Sequence, residues 1–136
     1  MVNLSPSRKI YLSQSTIPKG GRGVFASCHI KQGEIIEKCP VFVLPKKDYP
    51  VVKKTGLRNY YFMWGKSTSA ICFGYGSFYN HSYQPNATYQ KRIKDQIIEF
   101  IALRNIEKDE EITVNYNYGK PENKSPLWIK SIKLAY

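Results

Sequence analysis

The sequence predicts a mainly β fold built from several small curled sheets. Three observations carry that expectation. Helical periodicity is almost absent; short apolar stretches rich in β-branched and aromatic residues recur; and glycine or proline turn signals lie between them. Strands this short need many partners, which favours small curled sheets over one wide sheet.

Taken in order, strands are expected at residues 10–12, 24–26, 34–38, 41–44, 60–64, 70–73, 87–89, 97–103 and 112–116. Turns are marked by Gly20-Gly21, Gly33, Pro45, Pro50, Gly65, Gly74, Gly76 and Gly119. Residues 48–57 read as a helical or irregular insert. Two turns resemble each other: Ile30-Lys-Gln-Gly33-Glu-Ile-Ile36 and Ile106-Glu-Lys-Asp109-Glu-Glu-Ile112. They are either a faint internal duplication or two ordinary hairpins. Beyond Pro126, Trp128, Ile132 and Tyr136 recur every fourth residue and would share one face of a helix. Residues 120–136 are therefore expected to form an apolar, helical or irregular segment that packs over the domain.

A chain of 136 residues with 42% hydrophobic content suits a single domain, 1–136, around one core. No apolar run approaches the roughly 20 residues needed to cross a bilayer, and residues 1–15 lack the apolar centre of a signal peptide. A soluble, intracellular protein is expected. Cys28, Cys39 and Cys72 are odd in number and widely spaced, a poor fit to a disulfide framework or a zinc cluster. With His29 and His81 as its two histidines, the chain is expected to hold no metal.

The net charge is +11. Residues 46–66 hold six basic side chains against Asp48, while Asp95, Glu99, Glu107, Asp109, Glu110 and Glu111 gather elsewhere. A broad basic region and one acidic edge are expected. The basic region suits nucleic acid, chromatin or an anionic surface, or serves solubility alone.

Two segments concentrate polar groups that a core would not otherwise tolerate. The first is Ser77-Phe-Tyr-Asn80-His81-Ser82-Tyr83-Gln-Pro-Asn86, and the second is Glu111-Ile-Thr-Val-Asn-Tyr116-Asn-Tyr118-Gly119. No Gly-x-Ser-x-Gly elbow accompanies Ser82, so a nucleophilic triad is not supported. The eleven tyrosines include Tyr83 and Tyr89 near the Asn-His turn, and tyrosine rings and hydroxyls can enclose a cation such as lysine or a sulfonium. Upstream, Lys19-Gly20-Gly21-Arg22-Gly23 lets backbone pass close to a ligand, but it is neither a P-loop nor a dinucleotide fingerprint.

Together these segments resemble the SET domain, the fold of protein-lysine methyltransferases, from about Ile10 to Tyr136. Gly20-Gly21-Arg22-Gly23-Val24-Phe25 is similar to the family's first motif, residues 77–86 to its Arg-Phe-x-Asn-His-Ser-x-x-Pro-Asn motif, and residues 111–116 to its Glu-Leu-Thr-x-x-Tyr motif. The resemblance implies a β-clip-like fold of small sheets with a pseudoknot, and S-adenosyl-L-methionine as methyl donor. It implies donor binding by Gly20, Gly21, Arg22, Gly23, Asn80, His81, Tyr116 and Trp128. Tyr116 would be the catalytic residue, and Tyr89 and Tyr118 would line the channel for the substrate lysine. The implied partner is a lysine-bearing peptide, with a histone tail foremost and a nucleosomal DNA contact through the basic face. A dimer is compatible with it. Localisation would be nuclear, or in a host nucleus, for a histone substrate and cytoplasmic otherwise. The alternative is an inactive SET-like module that binds chromatin or nucleic acid.

The sequence also departs from the family. Tyr83 stands where many members carry a zinc-binding cysteine, and no cysteine follows Cys72, so closure over the site would rest on packing. Ser77 replaces the motif arginine, and Val114 replaces the usual aromatic two residues before the catalytic tyrosine, a space Tyr89 would fill from another strand.

Overall fold

A computed structural model describes residues 2–117 and 119–127. Among them lie nine strands: β1 (Ile10–Gln14), β2 (Arg22–Ala26), β3 (Ile35–Val43), β4 (Tyr61–Gly65), β5 (Thr68–Cys72), β6 (Asn80–His81), β7 (Ala87–Arg92), β8 (Ile97–Ala102) and β9 (Glu111–Val114). They form a four-stranded sheet in the order β1-β2-β9-β6 and a five-stranded sheet in the order β4-β5-β3-β8-β7. Pairing is antiparallel except between β6 and β9, which run parallel. The sheets bury Val24, Ile36, Ile98, Phe100 and Ile112, each at most 1% exposed. The mainly β expectation is met.

Three local expectations need correction. The separate strands at 34–38 and 41–44 are one strand, β3. Pro40 reads as a break because it donates no hydrogen bond. Here it stands where β3 passes from pairing with β8, through Pro40 opposite Ile97, to pairing with β5, from Val41 opposite Cys72. Its carbonyl still accepts from the Phe73 N–H at 3.0 Å. Second, β6 was not anticipated, because two residues carry no period. Third, β9 ends at Val114 rather than at Tyr116. Asn115 Oδ1 accepts from the Asn117 N–H at 2.9 Å, the local bond by which asparagine turns a chain.

The two similar turns contact each other. The Ile30 and Ile106 backbones exchange hydrogen bonds of 2.9 and 2.8 Å, and both side chains are fully buried. The flanking bonds correspond: Gly33 N–H to Ala102 O at 2.8 Å, and Asp109 N–H to Ala26 O at 2.7 Å. Gly33 and Asp109 both have positive φ, 87° and 69°. The likeness of the two segments thus extends to how each turn is bonded.

The insert folds as a 3₁₀ turn at Lys46–Asp48, a helix α1 at Tyr49–Val52 and a 3₁₀ turn at Gly56–Asn59. Val52 anchors it in the interior at 5% exposure, and the Tyr49 ring meets Tyr61 edge-on at 6.1 Å.

Of the expected acidic edge, Glu99 is buried while Asp95, Glu107 and Asp109 stay exposed, and several of the acids hold partners within the chain. Glu99 accepts from Arg92 at 2.7 Å, Asp109 from the Tyr11 hydroxyl at 2.9 Å, and Glu110 from Arg104 at 2.6 Å. Glu111 also has its partners within the chain. No helix among the described residues is long and apolar enough to cross a membrane.

Candidate active site

The site forms where β6 and β9 run side by side, with Asn80 opposite Thr113 and His81 opposite Val114. Asn86 fastens the same two segments further on. Its Oδ1 accepts from the Thr113 N–H at 2.9 Å and its Nδ2 donates to the Glu111 carbonyl at 2.8 Å. After β9 the chain returns across this segment: the Tyr83 hydroxyl donates to Ser125 O at 2.9 Å, Lys124 Nζ to Tyr83 O at 3.1 Å, and Thr88 Oγ1 to Gly119 O. Residues 80–88 are thus held between β9 and the segment that follows it, the arrangement a pseudoknot requires.

Glu111 organises the glycine-rich side. Its carboxylate accepts from Ser15 Oγ at 2.8 Å, Thr16 N at 2.9 Å, Thr16 Oγ1 at 2.8 Å and Asn80 Nδ2 at 3.0 Å. Asn80 Nδ2 also donates to the Arg22 carbonyl at 3.2 Å. A β-carbon on Gly23 would collide with the Glu111 carboxylate and come within 3.0 Å of Asn80 Nδ2. Gly23 is therefore fixed by close approach, whereas Gly21 is fixed by its φ of +67°. Gly20 closes the turn, its N–H donating to Ile17 O at 2.8 Å. The Arg22 guanidinium lies 4.7 Å from the centre of the Phe78 ring.

His81 is completely buried, and its Nδ1 accepts from the Tyr116 N–H at 3.0 Å. With Nδ1 an acceptor, the ring hydrogen belongs on Nε2. That atom is buried and has no hydrogen-bond partner among the described residues. Burial lowers the His81 pKa to about 4, so the ring is neutral at pH 7. The ring sits edge-on to Tyr83 at 4.4 Å and tilted against Tyr116 at 5.3 Å.

The Tyr116 hydroxyl donates to the Tyr79 carbonyl at 2.7 Å. Burial above all, then Tyr60 and Glu111, holds its pKa well above the usual tyrosine value. It is therefore a neutral phenol at physiological pH. Because its proton points at Tyr79, its lone pairs are available as acceptors.

Beside Tyr116 opens a cavity of about 80 Å³. Tyr60, Tyr61, Phe62, Tyr89, Lys91 and Val114 contribute to its walls. Tyr89 is 8% exposed and meets Phe62 edge-on at 5.3 Å. Val114 on β9 and Tyr89 on β7 both contribute to the cavity wall.

Of the expected site residues, the structure brings together Gly23, Arg22, Asn80, His81 and Tyr116, with Gly20 and Gly21 in the adjoining turn and Tyr89 in the cavity wall. Tyr118 and Trp128 lie outside the described residues. Sequence reasoning missed Glu111 as the hub, although it opens its motif, and Tyr60 and Phe62. Tyr60 follows the 3₁₀ turn at Gly56–Asn59 and Phe62 lies on β4, so they reach the cavity from different elements and no single period marks them. Among the described residues no group of three or more His, Cys, Asp or Glu side chains could hold a metal ion.

The SET domain model matches residues 21–117. A fission-yeast (Schizosaccharomyces pombe) histone-lysine N-methyltransferase, H3 lysine-37 specific, is 33% identical over 97 residues, 71% of this chain and 66% of that protein. The variant-silencing SET domain-containing protein of Plasmodium falciparum is 35% identical over 131 residues, 84% of this chain but 5% of that protein. The chain thus spans less than two thirds of these relatives. A crystal structure of a candidate histone methyltransferase from Plasmodium falciparum superposes with a TM-score of 0.65 at 33% identity, covering 85% of this chain and 96% of that one. The Chaetomium thermophilum Polycomb Repressive Complex 2 bound to S-adenosylmethionine shares the fold over 86% of this chain and 16% of its own, with a TM-score of 0.71 at 19% identity. The ordered motifs, the β6–β9 pairing and these likenesses agree: the chain belongs to the SET-domain family.

Proposed function

We propose that this chain is a protein-lysine N-methyltransferase that uses S-adenosyl-L-methionine. The observation that carries the reading is the orientation of Tyr116. Its hydroxyl gives its proton to Tyr79 O, which leaves its lone pairs free to accept, and Tyr116 lines an aromatic cavity. An acceptor at the end of a desolvating channel is what positions a neutral amine for attack.

The residues present fit the methyl donor. Asn80 Oδ1 takes no hydrogen bond among the described residues, and His81 Nε2–H is an unused donor. An acceptor and a donor side by side suit the ammonium and carboxylate of an amino acid. Gly23 and its neighbours keep backbone close by because no side chain fits there. Bound by these residues, S-adenosyl-L-methionine supplies an electrophilic methyl group on a sulfonium.

The chain does the rest by alignment and desolvation. A free lysine amine, with a pKa near 10.4, is almost wholly protonated at neutral pH. The walls formed by Tyr60, Phe62 and Tyr89 disfavour the ammonium form. Tyr116 accepts a hydrogen bond from the amine and fixes the direction of its lone pair. It is no general base, since burial keeps its own proton in place.

The names of the relatives make histones the first substrate to test, and the nucleus the corresponding place of action. Purified chain incubated with methyl-labelled S-adenosyl-L-methionine and core histones should transfer label to lysine. Tyr116→Phe should lose that transfer while still binding donor. Donor or histone binding without any transfer in the unaltered chain would mark an inactive module instead.

A further inference from the structure

A second cavity, of about 440 Å³, shares no lining residue with the one beside Tyr116. Leu4, Pro6, Ile10, Pro40 and Tyr75 give it largely apolar walls, and Glu37 stands among them. The N-terminal wall is fastened to β3 by Ser7, whose hydroxyl donates to Ile36 O at 2.6 Å. Glu37 is 7% exposed. Its Oε2 accepts from the Tyr75 N–H at 3.0 Å and its Oε1 from the Tyr79 hydroxyl at 2.9 Å, with the Cys39 thiol as a weak third donor. All three donors are neutral. Among the described residues Glu37 forms no ion pair, whether with Arg8, Lys9 or Lys38. Lys9 is taken by Glu34 and by the Ile35 carbonyl. Lys38 also borders the cavity, but it alternates with Glu37 along β3 and holds its Nζ 3.9 Å from Glu99.

Gly74 opens the carboxylate to the cavity. Its φ is +65°, and a β-carbon there would stand 2.5 Å from Glu37 Oε2. The oxygen therefore borders the cavity at a position that carries no side chain. A buried charge is ordinarily paired with an opposite one. Here a buried carboxylate has hydrogen bonds but no countercharge, beside a space of the size that small molecules occupy.

We propose that this cavity binds a small organic amine, with its ammonium on Glu37 and its apolar body against Leu4, Pro6, Ile10 and Pro40. An ammonium both donates to the acceptor site that three donors leave on the carboxylate and supplies the missing charge. A metal ion fits less well, because these walls offer few oxygen ligands. The site stands independently of methyl transfer, although Tyr79 reaches both cavities. Its hydroxyl is on Glu37, and its carbonyl accepts from Tyr116 at 2.7 Å.

The test titrates phenethylamine into the full chain and follows the backbone amides by NMR. Leu4, Ser7, Gly74 and Tyr75 should shift in a saturable way, with a Kd of about 1 mM or tighter. 2-Phenylethanol and phenylacetate keep the ring but replace the ammonium with a neutral or an anionic group. Each should bind at least about tenfold more weakly. Glu37→Gln should erase the preference, so that amine and alcohol bind alike. Leu4→Ala should weaken the amine several-fold and preserve the order of the three. Equal binding of the three compounds by the unaltered chain overturns the assignment, and that comparison decides even where the glutamine variant fails to fold. Shifts confined to residues 60–63 and Tyr89 would put the amine in the lysine channel and overturn it as well. So would the absence of any saturable shift up to about 10 mM.

Discussion

The two halves of the site are built on opposite terms. On the donor side, Ser15, Thr16, Arg22, Asn80 and Glu111 form a closed polar network in which almost every group is spent on another. On the lysine side, Phe62 meets Tyr89 and Tyr60 meets Phe78 edge-on, beside open volume. Tyr116 joins them, with its N–H on His81 and its hydroxyl on Tyr79. The difference teaches where stability and chemistry part company. Changes in the network should damage the fold first, because partly satisfied buried polar groups are costly. Changes around the channel should alter the reaction first.

Tyr116→Phe tests the joint and should have the largest effect of all. It removes one hydroxyl and leaves the backbone bond to His81. Methyl transfer should fall at least about 100-fold, the usual loss for a single positioned polar group at a reacting centre. The melting temperature should drop by no more than the few degrees that one hydrogen bond is worth. Glu111→Ala is the counterpart on the network side. It strands donors on Ser15, Thr16 and Asn80 together and should cost on the order of 3 kcal/mol, about 10 °C in melting temperature. Thermal unfolding of the two variants side by side checks the contrast. Equal destabilisation by both would break it.

His81 makes the network pH-sensitive. Its folded pKa, about 4, lies below the ordinary value of 6.5. The unfolded chain therefore binds more protons between those two values. The stabilisation from keeping the ring neutral is complete above pH 6.5 and is lost as pH falls toward 4. Between pH 7.5 and pH 5 that amounts to roughly 2 kcal/mol. Urea unfolding at the two pH values should show a loss of this size, and His81→Gln should flatten it. A loss of the same size in the glutamine variant would assign the pH dependence to other groups.

Much of this contrast was legible in the sequence, and the limits have physical causes. Asn80, His81 and Tyr116 stand out because buriable polar side chains without an obvious partner imply a ligand or a network. The β-rich character was readable because apolar residues alternate with turns. Three things were not. Strand β6 has two residues, too few to show a period, and exists because β9 lies beside it. The passage of β3 through Pro40 depends on a change of partner strand, which is tertiary information. Glu111 reads as one more surface acid in an acidic stretch; its role as hub appears once the fold brings Ser15, Thr16 and Asn80 to it across long sequence separations.

The smallest expected effect sharpens the channel side alone. Tyr89 is 8% exposed, stands edge-on to Phe62 and lines the same cavity as Val114. Tyr89→Phe keeps the ring and its edge-on contact with Phe62, so the melting temperature should move by no more than a few degrees. It removes one oxygen from the wall of a cavity of about 80 Å³, where a methylated amine would have to turn to present its lone pair again. Room for that rotation governs whether a second or third methyl can follow. The variant should therefore raise the share of higher-methylated product at similar total turnover, read by mass spectrometry of a methylated peptide. An unchanged product distribution would mean that Tyr89 contributes apolar wall and nothing more. The limit on methyl number would then belong to Tyr60 or Phe62 across the cavity.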